Sequence, residues 1–257
     1  MTDLLPVAVL GARGRMGSEA VRAVEAAPDL DLVAALGRSD SLDALVSAGA
    51  RVVVDLTIPD VTADNVRFAV EHGMHAVVGT TGWTPERLAE LETQVAASPT
   101  TGVLIAPNFA LGSVLASAFA AAAAQYFESV EIVELHHPDK VDAPSGTAVR
   151  TANLVAAART AAGVPGGPDA TRDQLEGARG ALVDGIPVHS VRLRGLTAHQ
   201  EVLLGSAGEQ LTIRHDSFDR ASFMPGVLLG IRTVGRRPGL TVGLDGYLDL
   251  GFGGTAV

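Results

Sequence analysis

The stretch Glu134-Leu135-His136-His137-Pro138-Asp139-Lys140-Val141-Asp142-Ala143-Pro144-Ser145-Gly146-Thr147 brings two histidines, a lysine and a hydroxyl-bearing turn close together in the chain. An imidazole exchanges a proton near neutral pH, and a lysine ammonium serves as anion partner or as acid. Neighbouring strand residues point to opposite faces, so His136 and His137 share one site only where the strand stops, and Pro138 predicts that stop. Ser145-Gly146-Thr147 opens an Ala-rich segment of helical pattern. The free N–H groups of a helix start, with two hydroxyls, make a carboxylate site, and the same serine doubles as an N-cap. A proton donor beside a carboxylate site is equipment for reducing a carboxylate-bearing substrate, given a source of hydride. No third ligand stands at useful spacing from the histidines, so no metal is expected.

The hydride source is suggested near the start of the chain. Strand-like Val7–Leu10 runs into Gly11-Ala12-Arg13-Gly14-Arg15-Met16-Gly17, a Gly-x-x-Gly-x-x-Gly variant of the dinucleotide fingerprint. Its glycines permit a tight turn, close approach of backbone to a pyrophosphate, and close packing of helix on strand, and Arg13 and Arg15 add cations beside that phosphate. At the end of the second strand an acid commonly takes the ribose hydroxyl; here Gly37 occupies that place, followed by Arg38, Ser39 and Asp40. Arg38 with Ser39 suits a 2′-phosphate, which leans the reading towards NADPH, while Asp40 keeps ribose binding and NADH open. Gly79-Thr80-Thr81-Gly82 and Ala106-Pro107-Asn108-Phe109 also follow strands, at the sheet edge where ligands gather.

These residues need elements to hold them. The first 110 residues alternate short β-branched runs (Val7–Leu10, Leu30–Leu36, Val52–Thr57, Ala76–Val78, Val103–Ile105) with helical patterns, which predicts a parallel sheet covered on both faces. Thr84-Pro85-Glu86 is a strong helix start. After Asn108 come an Ala-rich helix over 112–127, a strand over 130–136, a helix over 147–162 and strand-like segments over 188–194, 200–204 and 210–215. The first and third of those segments alternate apolar and polar residues, as in an antiparallel sheet with one wet face. A helix from about Phe218 to Val234 and a short strand over 239–242 close the pattern, and this tail is expected to return to the first half.

Composition limits the alternatives. The 257 residues are 47% hydrophobic and 19% charged, so they can bury a large core, built of small aliphatic residues because aromatics are only 4%. A net charge of −10 argues against nucleic acid or an anionic membrane as partner, and the absence of cysteine excludes thiol catalysis. The start of the chain lacks the basic and apolar regions of a signal peptide, and the run from Leu111 to Phe127 is interrupted by Gly112, Ser113, Ser117 and Gln125. A cytoplasmic protein is therefore expected.

Taken together, His136–Ala148, Gly14-Arg15-Met16-Gly17, Val78–Gly82 and Ala106–Phe109 stand in the order found in one enzyme family. The chain resembles, end to end, 4-hydroxy-tetrahydrodipicolinate reductase, also called dihydrodipicolinate reductase, of bacterial lysine and diaminopimelate biosynthesis. The resemblance implies NAD(P)H-dependent reduction of 4-hydroxy-tetrahydrodipicolinate, through a conjugated cyclic imine, to tetrahydrodipicolinate. It implies an α/β fold: a Rossmann-type dinucleotide-binding domain (1–109 and 219–257) plus a smaller α+β substrate-binding domain with a mixed sheet (110–218) that assembles a homotetramer. Gly11, Ala12, Arg13, Gly14, Arg15, Met16, Gly79, Thr80, Thr81, Ala106, Pro107, Asn108 and Phe109 would line the dinucleotide. His136 would be proton donor and acceptor, Lys140 a proton donor, and His137, Ser145, Gly146 and Thr147 would hold the substrate carboxylates. Two rivals stand beside this reading: another two-domain nicotinamide reductase of amino-acid synthesis, such as a semialdehyde or homoserine dehydrogenase, and a dinucleotide-sensing protein without chemistry. A thioester-forming semialdehyde dehydrogenase needs a cysteine that the chain lacks, and a non-catalytic dinucleotide sensor has no need of a proton donor beside a carboxylate site.

Overall fold

Val52-Val53-Val54 and Ala76-Val77-Val78 are apolar at every position and rich in residues stiff at χ1, which suits strands buried on both faces. In the computed structural model, which describes residues 4–248, such runs form β1 (Leu5–Leu10), β2 (Leu30–Leu36), β3 (Val52–Asp55), β4 (His75–Val78) and β5 (Gly102–Ile105). Between them lie α1 (Arg15–Glu25), the short α2 (Asp43–Ser47), α3 (Pro59–Glu71) and α4 (Pro85–Ala96). Thr84 caps α4 as expected, its hydroxyl oxygen accepting from the Arg87 N–H at 3.3 Å, with Pro85 in the first turn.

The chain divides into two compact units, Met1–Phe109 with Phe223–Val257, and Ala110–Ser222. The first unit holds a six-stranded parallel sheet in the order β2-β1-β3-β4-β5-β11, where β11 (Gly239–Val242) pairs with β5. The chain winds outward in both directions from β1 and β3, so the crevice beyond their carboxyl ends is the topological switch point where ligands bind in such sheets. Ala8, Leu10, Val53, Ala76 and Ile105 belong to apolar clusters with residues of α2, α3 and α4, including Leu45, Ala69, Val70 and Leu91. The opposite face takes α7 (Met224–Val234), where a methyl added to Gly230 would lie 3.0 Å from Leu104 and 3.1 Å from Val77. The helix expected from Phe218 thus begins later, because Arg220–Phe223 forms a 3₁₀ turn.

The second unit packs α5 (Leu111–Ala124) and α6 (Gly146–Ala161) on a five-stranded mixed sheet in the order β10-β9-β6-β8-β7. Its strands are β6 (Ser129–His136), β7 (Ala181–Val183), β8 (Ile186–Arg192), β9 (Ala198–Ser206) and β10 (Glu209–Ser217). Ala120, Ala124, Ala148, Ala152 and Val155 meet Ile132, Val188, Val202 and Leu204 in one core, the alanines letting the helices approach closely. Arg159 is buried beside this core and donates to the carbonyls of Ala124, Phe127, Glu128 and Pro165, satisfying acceptors left open at the ends of α5 and α6. The alternation over 188–194 suggests antiparallel pairing, yet β8 runs parallel to β6 and antiparallel only to β7. Alternation reports one covered and one open face, whichever way the neighbours run. No helix among the described residues is long and apolar enough to cross a membrane.

Candidate active site

In the first unit the glycines are forced by contact. Gly11, directly after β1, has φ +75°, and a Cβ there would lie 2.5 Å from the Leu56 carbonyl oxygen. A Cβ on Gly17 would lie 2.0 Å from the carbonyl oxygen of Gly11, so strand, turn and helix meet backbone to backbone. Gly14 is the N-cap of α1 and brings no side-chain cap. That arrangement fits a pyrophosphate, since it presents N–H groups at the positive end of a helix with no side chain in the way. Arg13 and Arg15 are exposed beside it, Met16 is partly covered and Ala12 is buried. At the end of β2 the Asp40 carboxylate turns back to accept from the Gly37 N–H at 2.7 Å, and the Arg13 guanidinium lies 3.7 Å from the same oxygen. Arg38 and Ser39 remain exposed.

The next loops are tied together beneath the surface. Asp55, at the end of β3 and 1% exposed, accepts from the Thr57 N–H and hydroxyl at 2.9 and 2.5 Å. It also accepts from Thr62 at 3.2 Å and Asn65 at 2.9 Å, both on α3, and from the Thr80 hydroxyl at 3.0 Å. Thr80 is therefore committed inward through its side chain, while Thr81 is exposed. Gly79 leaves room for Leu56 and Phe109, each of which would lie within 2.8 Å of an added Cβ. Ala106 and Phe109 are buried, Asn108 is partly covered and Pro107 is exposed, so that loop offers backbone and the side chain edges of 107 and 108 rather than the phenyl ring.

In the second unit, His136 closes β6 and His137 lies just beyond it, before Pro138. Residues two apart share a strand face, which puts His136 beside Glu134, itself 0% exposed. The Glu134 Oε2 is 2.5 Å from His136 Nδ1. Arg192, paired with His136 across the parallel β6–β8 ladder, donates to both Glu134 oxygens at 2.8 Å and to the Asp142 carbonyl at 2.6 Å. Burial works against the Glu134 charge, but hydrogen bonds from His136, Arg192 and Ser190 outweigh it and hold the carboxyl at about 2.

Ser145 is the N-cap of α6, its hydroxyl oxygen accepting from Ala148 N–H at 3.2 Å, while its own N–H donates to Glu134 Oε1 at 3.1 Å. Lys140 Nζ donates to the Asp142 carboxylate at 2.7 Å, and the other oxygen of that carboxylate accepts from the Gly146 N–H at 3.3 Å. Burial opposes the charge on Asp142 too, yet Lys140 keeps its carboxyl below the usual range. A carboxylate already lies on two of the groups expected to bind one. His136, Lys140, Ser145 and Gly146 thus belong to one network with Glu134, Arg192 and Asp142.

Two of those partners were not legible as site residues. Glu134 carries the weak signal of standing two positions before a candidate histidine in a strand, whereas Arg192 lies 58 residues from Glu134 and has no local signature. Two further histidines of the sheet are held structurally: His189 pairs with Glu131 at 2.7 Å, and His199 Nδ1 with Asp216 at 2.6 Å while its Nε2 accepts from Thr197 N–H. Arg214 pairs with Glu201 and Asp216.

The comparisons with known proteins point one way. Residues 5–109 match the family model "Dihydrodipicolinate reductase, N-terminus", and residues 112–248 match "Dihydrodipicolinate reductase, C-terminus". The chain is 68% identical over 246 residues to 4-hydroxy-tetrahydrodipicolinate reductase of Streptomyces griseus, covering 96% of this chain and 98% of that protein. It is 64% identical over 244 residues to the reductase of the same name from Nocardia farcinica, covering 95% and 98%. A solved structure of dihydrodipicolinate reductase from Paenisporosarcina sp. TG-14, bound to dipicolinate, superposes with a TM-score of 0.85 at 40% identity, covering 96% of this chain and 100% of that one. Myo-inositol 2-dehydrogenase from Lactobacillus plantarum, at 11% identity and a TM-score of 0.63 over 95% of this chain and 93% of that one, shares the fold alone. With both halves matched and relatives this similar, the chain belongs to the dihydrodipicolinate reductase family.

Proposed function

We propose that this chain is an NAD(P)H-dependent oxidoreductase that reduces 4-hydroxy-tetrahydrodipicolinate, by way of the conjugated cyclic imine, to tetrahydrodipicolinate. Its place is lysine and diaminopimelate biosynthesis in the cytoplasm. The observation that carries the reading is His136, anchored on a buried carboxylate at the end of β6, in one network with Lys140 and the start of α6. The first unit takes the dinucleotide, through Gly11 to Met16, Gly79 to Thr81 and Ala106 to Phe109. The second takes the substrate, whose carboxylates lie on His137, Ser145, Gly146 and Thr147 in the place that Asp142 now fills on Gly146.

NAD(P)H supplies the hydride that reduces the conjugated imine. The electron pair passes along the conjugated system, and the electron-rich product takes up one proton, supplied by the His136/Lys140 site, with the Lys140 ammonium also the counter-charge to the dianionic substrate. The helix start contributes fixed N–H dipoles that need no reorganisation as charge moves. Arg38 and Ser39, exposed at the end of β2, support a leaning to NADPH; Asp40, tethered to Gly37 and Arg13, is the acid available to a ribose hydroxyl. The face of the second sheet turned away from its helices carries partly covered Val133, Leu135, Val191 and Leu203, which supports assembly into a homotetramer through this sheet.

The test is a coupled assay in which a purified synthase makes the unstable substrate from pyruvate and aspartate semialdehyde, and cofactor oxidation is followed by absorbance. Rapid, synthase-dependent oxidation is expected, and His136→Gln should lower turnover by about 10²–10⁴-fold. A folded protein that binds the dinucleotide and oxidises none of it would be a sensor instead.

A further inference from the structure

We propose that Glu134 is a positioning residue for His136: its carboxylate takes the Nδ1–H of the imidazole, sets the tautomer and direction of the ring, and leaves Nε2 as the atom that passes the proton to product. The proposal rests on the reading of His136 as proton donor. It starts from the surroundings of Glu134, where both guanidinium nitrogens of Arg192, the Ser145 N–H and the Ser190 side chain donate to the carboxylate and His136 Nδ1 lies against it. An ionised carboxylate only accepts, so at 2.5 Å the hydrogen between Glu134 and His136 belongs to Nδ1. Which ring nitrogen carries the proton of a neutral histidine is set by the bond its other nitrogen makes. In the cationic ring both nitrogens are protonated; loss of the Nε2 proton then returns the ring to the Nδ1–H form without its having to turn.

The cost of the arrangement argues the same way. A fully buried carboxylate is expensive unless it is paired, and Arg192 alone would balance its charge. Glu134 nevertheless also holds His136 and the residue that caps α6, so one side chain fixes the proton donor relative to the carboxylate-binding helix start. Lys140 and Asp142, from the loop between β6 and α6, are the other charged groups nearby, and they pair with each other. The carboxylate that orients His136 is therefore Glu134.

Ring ¹⁵N spectra of the wild-type protein should show His136, when neutral, as the Nδ1–H tautomer; an Nε2–H signal would overturn the proposal whether or not any variant folds. Glu134→Gln keeps the shape and an acceptor oxygen for Ser145 but removes the charge. It should move the His136 signal towards Nε2–H and lower kcat on the order of 10- to 100-fold, a share of the whole acid–base contribution, with KM little changed. In a His136→Gln background the same substitution should lower kcat no further. An equal loss in both backgrounds, or a loss confined to KM, would make Glu134 a structural residue only. If His136→Gln by itself turned over at the wild-type rate, the proton-donor reading would fall, and the intact Nδ1–H signal would mark that failure as distinct from loss of the anchoring.

Discussion

If the dinucleotide lies along the end of β2 as proposed, Asp40 and Arg38 divide the choice of cofactor between them. A 2′-phosphate next to Asp40 meets a carboxylate whose charge is partly met by Arg13 and by the Gly37 N–H, while Arg38 is exposed and ready to pair with it. Arg38→Ala should therefore weaken NADPH binding by about tenfold, the size of one charge-assisted hydrogen bond near a surface, and leave NADH within about twofold. Asp40→Ala should shift the ratio the other way. Fluorescence titration of each reduced cofactor measures this without turnover, and equal changes for both cofactors would remove Arg38 from the choice. Residues are legible when their chemistry is local, as with the Ser145 hydroxyl that caps α6. Glu134 and Arg192 show the limit: their value comes from a parallel pairing of β6 with β8 that no local pattern announces.

The element most exposed to a single substitution is the β1–α1 turn. Adding a methyl at Gly17 sets it 2.0 Å from a backbone oxygen that has nowhere to retreat, since Gly11 is itself pressed against Leu56. Gly17→Ala should cost about 1–3 kcal/mol of stability, the range for overpacking, and should weaken dinucleotide binding because α1 must move off its strand. Gly166→Ala, where an added methyl meets nothing within 4 Å, is the control. Thermal melts with and without cofactor read both effects; an unchanged Gly17→Ala would mean that the turn is softer than its contacts imply. At this scale the chain is easy to read where strands are buried on both faces, because every position is then apolar, as in Val52–Val54 and Ala76–Val78. It is hard to read where an element is very short, as with α2 and β7, or where alternation says one face is covered without saying which neighbour covers the other edge. The Asp55 network has the same difficulty, drawing its donors from β3, α3 and the loop after β4.

For the molecule as a whole, stability should follow pH in two stages. His75 is pushed below its ordinary 6.5 by burial and by Arg51, and its Nδ1 accepts from the Gly102 N–H at 3.0 Å, a bond that protonation there destroys. His215, pressed against Gly112, is likewise lowered by burial. A folded pKa below the unfolded one gives stability that is complete above about 6.5 and is lost as pH falls from there. Glu131, Glu134, Asp142 and Asp216 are also lowered, so a second and steeper loss should begin below about 4.5 and, for Glu134, continue to about 2. Urea midpoints between pH 8 and 3 check this, and a midpoint that rises between pH 7 and 5.5 would contradict it. The strand β11 carries a different consequence, for synthesis on the ribosome. The nascent chain leaves the first unit at Phe109, completes the whole of the second, and returns only at Phe223. Until Gly239–Val242 emerges, the outer edge of β5, with its apolar Val103-Leu104-Ile105, has no strand to pair with. The unit that is translated first is the one that closes last, and a growing polypeptide must keep that edge covered or alone in the meantime.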